Sequence, residues 1–281
     1  MGVVLGPNQW GKAENRLVRV VRDTPRHEIR DLTVSTALRG DMEAAHRHGD
    51  QAAVLPTDTQ KNTCYAYARS HGIGAIEDYA LTLARHFVAD VEPVTGARVA
   101  VDEHAWDRAP VGPDGHDHTF VRRGTEVRTA VVEVDGAGER VVSGLRDLVL
   151  LKSTGSEFAG FLVDGYTTLQ PTHDRIMSTS LDVRWTWSGV DVDWDATWAA
   201  VRRVLLERFA TVHSRALQQT LWEMGRAVLE AHDGIAEIAL VAPNRHHFVV
   251  DLAPFGLDNP NEVFFAADRP YGLIEAVVTR E

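Results

Sequence analysis

Cysteine is almost absent from these 281 residues: Cys64 stands alone, so no internal disulfide can form and a reducing compartment is the simpler setting. Positive charge is scarce too, with 29 Lys and Arg against 40 Asp and Glu for a net −11. Such a field repels nucleic-acid backbones and anionic membranes, so a small anionic ligand would need a local cationic pocket. No apolar run approaches membrane-spanning length, and the first residues, "MGVVLGPNQWGKAENR", carry no basic segment followed by a long apolar one. The last residues, "VVTRE", do not form a peroxisomal Ser-Lys-Leu signal, and the cytoplasm is the expected compartment. Neither common Gly-rich phosphate loop occurs, nor a Gly-x-Ser-x-Gly turn, which removes support for nucleotide cofactors and serine hydrolysis.

What is present is an ordinary globular composition, 44% hydrophobic and 25% charged, long enough for one large domain or two of usual size. Residues 16–38 read as strand, turn, strand, rich in β-branched side chains. "LPTDTQKNT" (55–63) is a crowd of small polar groups where a helix begins. Its Thr and Asp suit helix N-caps, and a helix start also suits a bound anion. In "AIEDYALTLARHFVADV", Ile76, Ala80, Leu83 and Phe87 fall on one helical face. "GARVAVDE" and "HTFVRRGTEVRTAVVEVD" read as two further strands around the loop "RAPVGPDGHD". The first half is thus ββααββ.

The second half repeats the order. "LRDLVLLKST" and "RIMSTSLDVRWTW" are strand-like, with "LDVRWTW" alternating at period two. Asp195 is the expected cap of a helix with Trp198, Val201, Leu205, Phe209 and Val212 on one face. Ser214 is the expected start of the next, with Leu217, Leu221, Met224 and Val228 inward. "GIAEIALVAP", "HHFVVDL" and "VFFAADRPYGLIEAVVT" close as strands. The expectation is an α+β chain of two domains, 1–138 and 139–281, each an antiparallel sheet backed by helices, with sheet edges paired between subunits of an oligomer.

Polar residues that could carry chemistry are scattered. His46 and His48, His116 and His118, and His246 and His247 invite a metal, but each pair lacks a third ligand, and "RHHF" reads equally as strand alternation. Cys64, inside "CYAYA", reads as a small core residue. Lys12, Thr57, Arg175, Gln218 and Asn244 each have a bland reading as well: solvated end, helix cap, surface ion pair, helix surface, turn former.

"LVLLKSTGSEFAGFLVDGYTTLQPTHDR" (148–175) resembles the diagnostic motif of the urate oxidase (uricase) family, matching its Lys-Ser-Thr, Phe, Phe, Tyr, Leu and terminal Arg in order. The resemblance extends through "WGKAENRLVRV", "LPTDTQKNT", "ALQQT" and "APNRHHFVVDL", nearly the whole chain. It implies two tandem T-fold (tunnelling-fold) domains and a homotetrameric barrel with active sites at subunit interfaces. It implies oxidation of urate by O2 and water to 5-hydroxyisourate and hydrogen peroxide, with no metal or organic cofactor. By similarity, Arg175 and Gln218 clamp urate, Phe158 stacks on it, Leu217 lends its backbone, and Thr57, Asp58 and Asn244 line the site. Lys12, Thr57 and His246 form the catalytic relay, in which a desolvated lysine primes threonine as base. Departures are small: Leu217 where Val is commoner, Trp10 for Tyr before Gly-Lys, and Arg245 for Lys. The rival readings are a zinc-dependent T-fold enzyme of purines or pterins, and an inactive urate-binding protein.

Overall fold

The computed structural model describes residues 2–267 and 269–281. It is α+β, with antiparallel strands and five α-helices among the described residues, and the chain divides into two compact units. The first comprises residues 1–144 and 186–195, the second residues 145–185 and 196–281.

In the first unit, β1 (Trp10–Val21), β2 (Glu28–Gly40), β3 (Val94–Arg108) and β4 (Phe120–Asp135) pair antiparallel in that order. Between β2 and β3 come α1 (Glu43–His48), α2 (Thr57–Ser70) and α3 (Ile76–Asp90), with α2 against β1 and α3 against β3 and β4. Ile76, Ala80, Leu83 and Phe87 are each 0% exposed, so the predicted face of α3 is the buried one. α3 packs on β3 and β4, whose Val99, Val101 and Val132 are also fully buried. The six-residue α1 is an addition to the expected order; it buries no side chain, so it leaves no apolar periodicity to read.

β5 (Gly138–Lys152) and β6 (Met177–Trp187) carry the chain between units. On β6, Leu181, Val183 and Trp185 point inward and Asp182 and Arg184 outward, the alternation read from "LDVRWTW". In the second unit, β7 (Ile235–Asn244) pairs with β10 (Gly272–Thr279), and α5 (Leu217–Ala231) packs on both through Leu221, Met224 and Val228. β8 (His247–Val249) and β9 (Phe264–Ala266) form a separate two-stranded ribbon. The expected long closing strand is therefore two strands, with Pro270, which has no amide to give a ladder, in the gap.

Three expected caps are corrected. α2 is capped by Pro56 without a side-chain hydrogen bond, while Asp58 binds Lys61 and Asn62 instead of helix amides. α4 (Trp194–Thr211) starts one residue before Asp195, whose carboxylate accepts from Arg128 at 2.6 Å. The same guanidinium donates to the buried Glu77 at 2.7 Å, and an ion partner of that kind outweighs a cap. Ser214 lies upstream of α5, capped by Ala216; its hydroxyl donates to the Ala216 carbonyl and accepts from Thr220. As expected, Cys64 is a core residue, 1% exposed, donating to the Gln60 carbonyl at 3.3 Å. Burial pushes its thiol up to about 12.

Candidate functional site

The second unit holds a cavity of about 570 Å³. Phe158, Arg175, Leu217, Gln218, Asn244 and His246, six residues singled out by resemblance, line it together. They come from four places: the segments 156–158 and 172–175, the start of α5, and the end of β7 with the turn after it.

Backbone pairing fixes the first two. Phe158 and Thr172 exchange amide-to-carbonyl bonds at 2.8 and 3.0 Å, and the Arg175 amide donates to the Ser156 carbonyl at 2.8 Å. The Glu157 amide donates to the Ser214 carbonyl, and the Ser214 amide to that of Gly155, which sets the approach to α5. α5 opens at Leu217 with no side-chain cap; Leu217 is buried and Gln218 exposed on the cavity wall. The Arg245 amide donates to the Ser178 carbonyl at 2.8 Å, seating the turn between Asn244 and His246.

The chemistry of this wall is an aromatic plate beside a cation. The Arg175 guanidinium carbon lies 5.3 Å from the Phe158 ring centre, and Phe161 stacks with Phe158 at 5.1 Å with planes 15° apart. Arg175 is half-buried, its Nε has no hydrogen-bond partner, and burial lowers its pKa. His246 is held below the ordinary histidine range, first by burial and then by the charges of Arg175 and His247. His247 also lines the cavity, so strand alternation does not separate the two histidines. Ile176 and Phe264 are further wall residues that spacing did not single out; position next to Arg175 was the available signal for the first.

Lys12, Thr57 and Asp58 lie in the first unit and do not line this cavity. Lys12 is half-buried at a bulge of β1, between Lys12 and Asn15, and its amide donates to the Thr36 hydroxyl at 3.3 Å. Gly11 before it cannot be replaced without movement: an added Cβ would sit 1.8 Å from the Thr36 carbonyl oxygen. The Thr36 hydroxyl donates to Gln60 Oε1 at 2.7 Å, and Trp10 Nε1 donates to the Leu55 carbonyl at 2.9 Å, tying β1 and β2 to the entrance of α2. Thr57 is the first residue of α2, and Asp58, whose pKa is lowered by Lys61, then by the Asn62 side chain and last by the charge of Lys12, follows it. Thr36→Val is expected to strand the buried Gln60 oxygen and cost about 1–3 kcal/mol in urea unfolding. A loss below about 0.5 kcal/mol, the range of plain surface changes, would deny the network its holding role.

Among the described residues, no group of three or more His, Cys, Asp or Glu is placed to hold a metal ion. Among the described residues, too, no helix is long and apolar enough to cross a membrane.

The Uricase family model matches residues 8–133 and 141–275. A uricase from Arthrobacter globiformis is 57% identical over 279 residues, covering 99% of this chain and 91% of the relative. One from Aspergillus flavus is 35% identical over 288 residues, covering 97% and 95%. The crystal structure of the Arthrobacter globiformis uricase superimposes with a TM-score of 0.96, over 100% of this chain and 96% of that one. At 24% identity, a uricase from Bacillus fastidious shares the fold, with a TM-score of 0.84 over 98% and 94%. With the motif around Arg175, the six residues on one wall and full-length similarity in agreement, this chain belongs to the uricase family.

Proposed function

We propose that this protein oxidises urate: urate, O2 and water give 5-hydroxyisourate and hydrogen peroxide, two electrons passing from the purine to oxygen. The observation that carries the reading at this cavity is Arg175, whose buried Nε waits without a partner beside the flat face of Phe158. A planar anion answers both, charge to the guanidinium and ring to ring. Gln218 offers one donor and one acceptor to the purine edge, Leu217 its backbone, and Asn244 holds water or oxygen above the ring.

Ground-state O2 is a triplet and urate a closed-shell anion, so direct two-electron transfer is spin-forbidden and the substrate must first become electron-rich by losing a proton. Lys12 and Thr57 form the base, with Asp58 beside them, and His246 passes protons onward. These groups act without metal or organic cofactor. We place the chain as two T-fold domains, 1–138 and 139–281, in a cytoplasmic homotetramer whose active sites lie at subunit interfaces. Lys12 and Thr57 of one copy then complete the cavity of another.

The test mixes protein, urate and oxygen in chelator, following urate absorbance and peroxide together. One peroxide per urate lost is the expected result. Binding without peroxide would mean an inactive urate-binding protein, and loss of activity in chelator a zinc enzyme.

The electrostatics of His246 add a second measurement. Its folded value lies below the unfolded one of about 6.5, so the unfolded chain takes the proton first. Its contribution to stability is therefore complete above about pH 6.5 and is lost as pH falls through that value toward the folded one. An NMR titration of the imidazole should have its midpoint below 6.5, and Arg175→Met should move it upward by removing one of the three causes. A midpoint unmoved by that substitution would separate the two residues electrostatically.

A further inference from the structure

The backbone around Arg175 is held by a neighbour that the reaction scheme above does not use. Asp174 lines the cavity, where a carboxylate opposes an anionic ligand, so its presence beside the guanidinium calls for a reason. Its side chain turns back on the preceding turn: Oδ1 accepts the Thr154 hydroxyl at 2.9 Å and the Gly155 amide at 3.2 Å. Gly155 is left-handed, φ +72°, at the tight bend after β5, a conformation glycine adopts without the steric cost other residues meet, though fixing so free a residue carries an entropic cost. From the same segment, the Thr172 hydroxyl donates to the Asp174 carbonyl at 2.9 Å. One residue later, the Arg175 amide reaches the Ser156 carbonyl at 2.8 Å.

We propose that Asp174 is a positioning residue for Arg175, its carboxylate locking the 154–156 turn against the 172–175 segment and so setting the guanidinium in the cavity. This rests on the urate reading. The two donors engage an oxygen lone pair, so acceptor capacity matters more than charge. Because Asp174 touches the turn and not the reacting atoms, its loss weakens binding of substrate and transition state alike, raising KM while leaving kcat nearly unchanged.

The test uses the full chain with Asp174→Ala, Asp174→Asn and Thr154→Val. Urate affinity is measured anaerobically, kcat and KM in air, and hydrogen exchange over residues 154–158 and 172–176. Asp174→Ala is expected to raise the urate Kd and KM about tenfold, the loss of about 1.4 kcal/mol, with kcat changed less than about threefold. Exchange at Gly155 and Arg175 should accelerate. Asp174→Asn, which keeps a carbonyl acceptor, should restore most of the affinity, and Thr154→Val should fall between. Unchanged affinity and exchange in Asp174→Ala would overturn the proposal, as would an Asn variant as impaired as Ala, or a kcat that falls as far as KM rises. If Asp174→Ala fails to fold, the Asn and Val variants decide by the same criteria. If exchange loosens as expected while even the unmodified protein neither binds nor oxidises urate, the positioning of Arg175 stands and the urate reading falls.

Discussion

Arg175→Met is expected to raise the urate dissociation constant roughly 30- to 5,000-fold, the equivalent of about 2–5 kcal/mol for removing one partner of a desolvated charge pair. Met keeps an apolar stem but not the guanidinium that lies over Phe158, so the lost affinity belongs to the charge, its donors and that ring contact. The ligand-free variant should melt no lower than the parent. In the parent, Nε is already buried without a partner, a cost the protein carries until an anion arrives. Anaerobic titration with urate and a thermal melt on the same samples give both numbers. A variant that binds urate within about threefold of the parent, less than 1 kcal/mol, would remove Arg175 from the substrate site.

Lys12→Ala should act on the other quantity. As part of the base it belongs to the proton step, and general base catalysis contributes about 10²- to 10⁴-fold, so turnover should fall by that factor while urate affinity moves only a few-fold. The backbone at this point is held independently of the side chain, by the bulge of β1, the bond from the Lys12 amide to Thr36 and the close approach of Gly11. The variant therefore should keep its fold and the proposed oligomer, checked by light scattering. Thr57→Ala should resemble it, and Thr57→Ser, which retains the hydroxyl, should recover much of the rate. A fall in turnover smaller than about tenfold would take Lys12 out of the proton step.

Most of the fold was legible because burial writes period into sequence. The faces of α3 and α5, and the alternation of β6, are buried at the residues that spacing marks. Where burial was weak or polar partners competed, legibility failed. α1 hides nothing, Asp195 serves Arg128 instead of a helix end, and Pro270 divides a run that composition alone reads as one strand. At the candidate site, periodicity said nothing of Phe158, Arg175, Gln218 or Asn244, because they lie in segments, a helix start and a strand end that are far apart along the chain. Family resemblance carried those residues, and the cavity gathers them. His247 was weighed only as a metal ligand or a strand residue, and Ile176 escaped because an aliphatic residue after an arginine has an ordinary structural reading.

The burial of Cys64 has a bearing on durability. An enzyme that releases peroxide at each turnover bathes itself in an oxidant that attacks thiolates and accessible thioethers. Here the thiol is closed off and fully protonated at neutral pH, and Met42, Met177 and Met224 are 3%, 1% and 0% exposed. No described sulfur atom lies on the wall where that oxidant would form. Self-inactivation during prolonged turnover should therefore be slow, with no need for an added reductant.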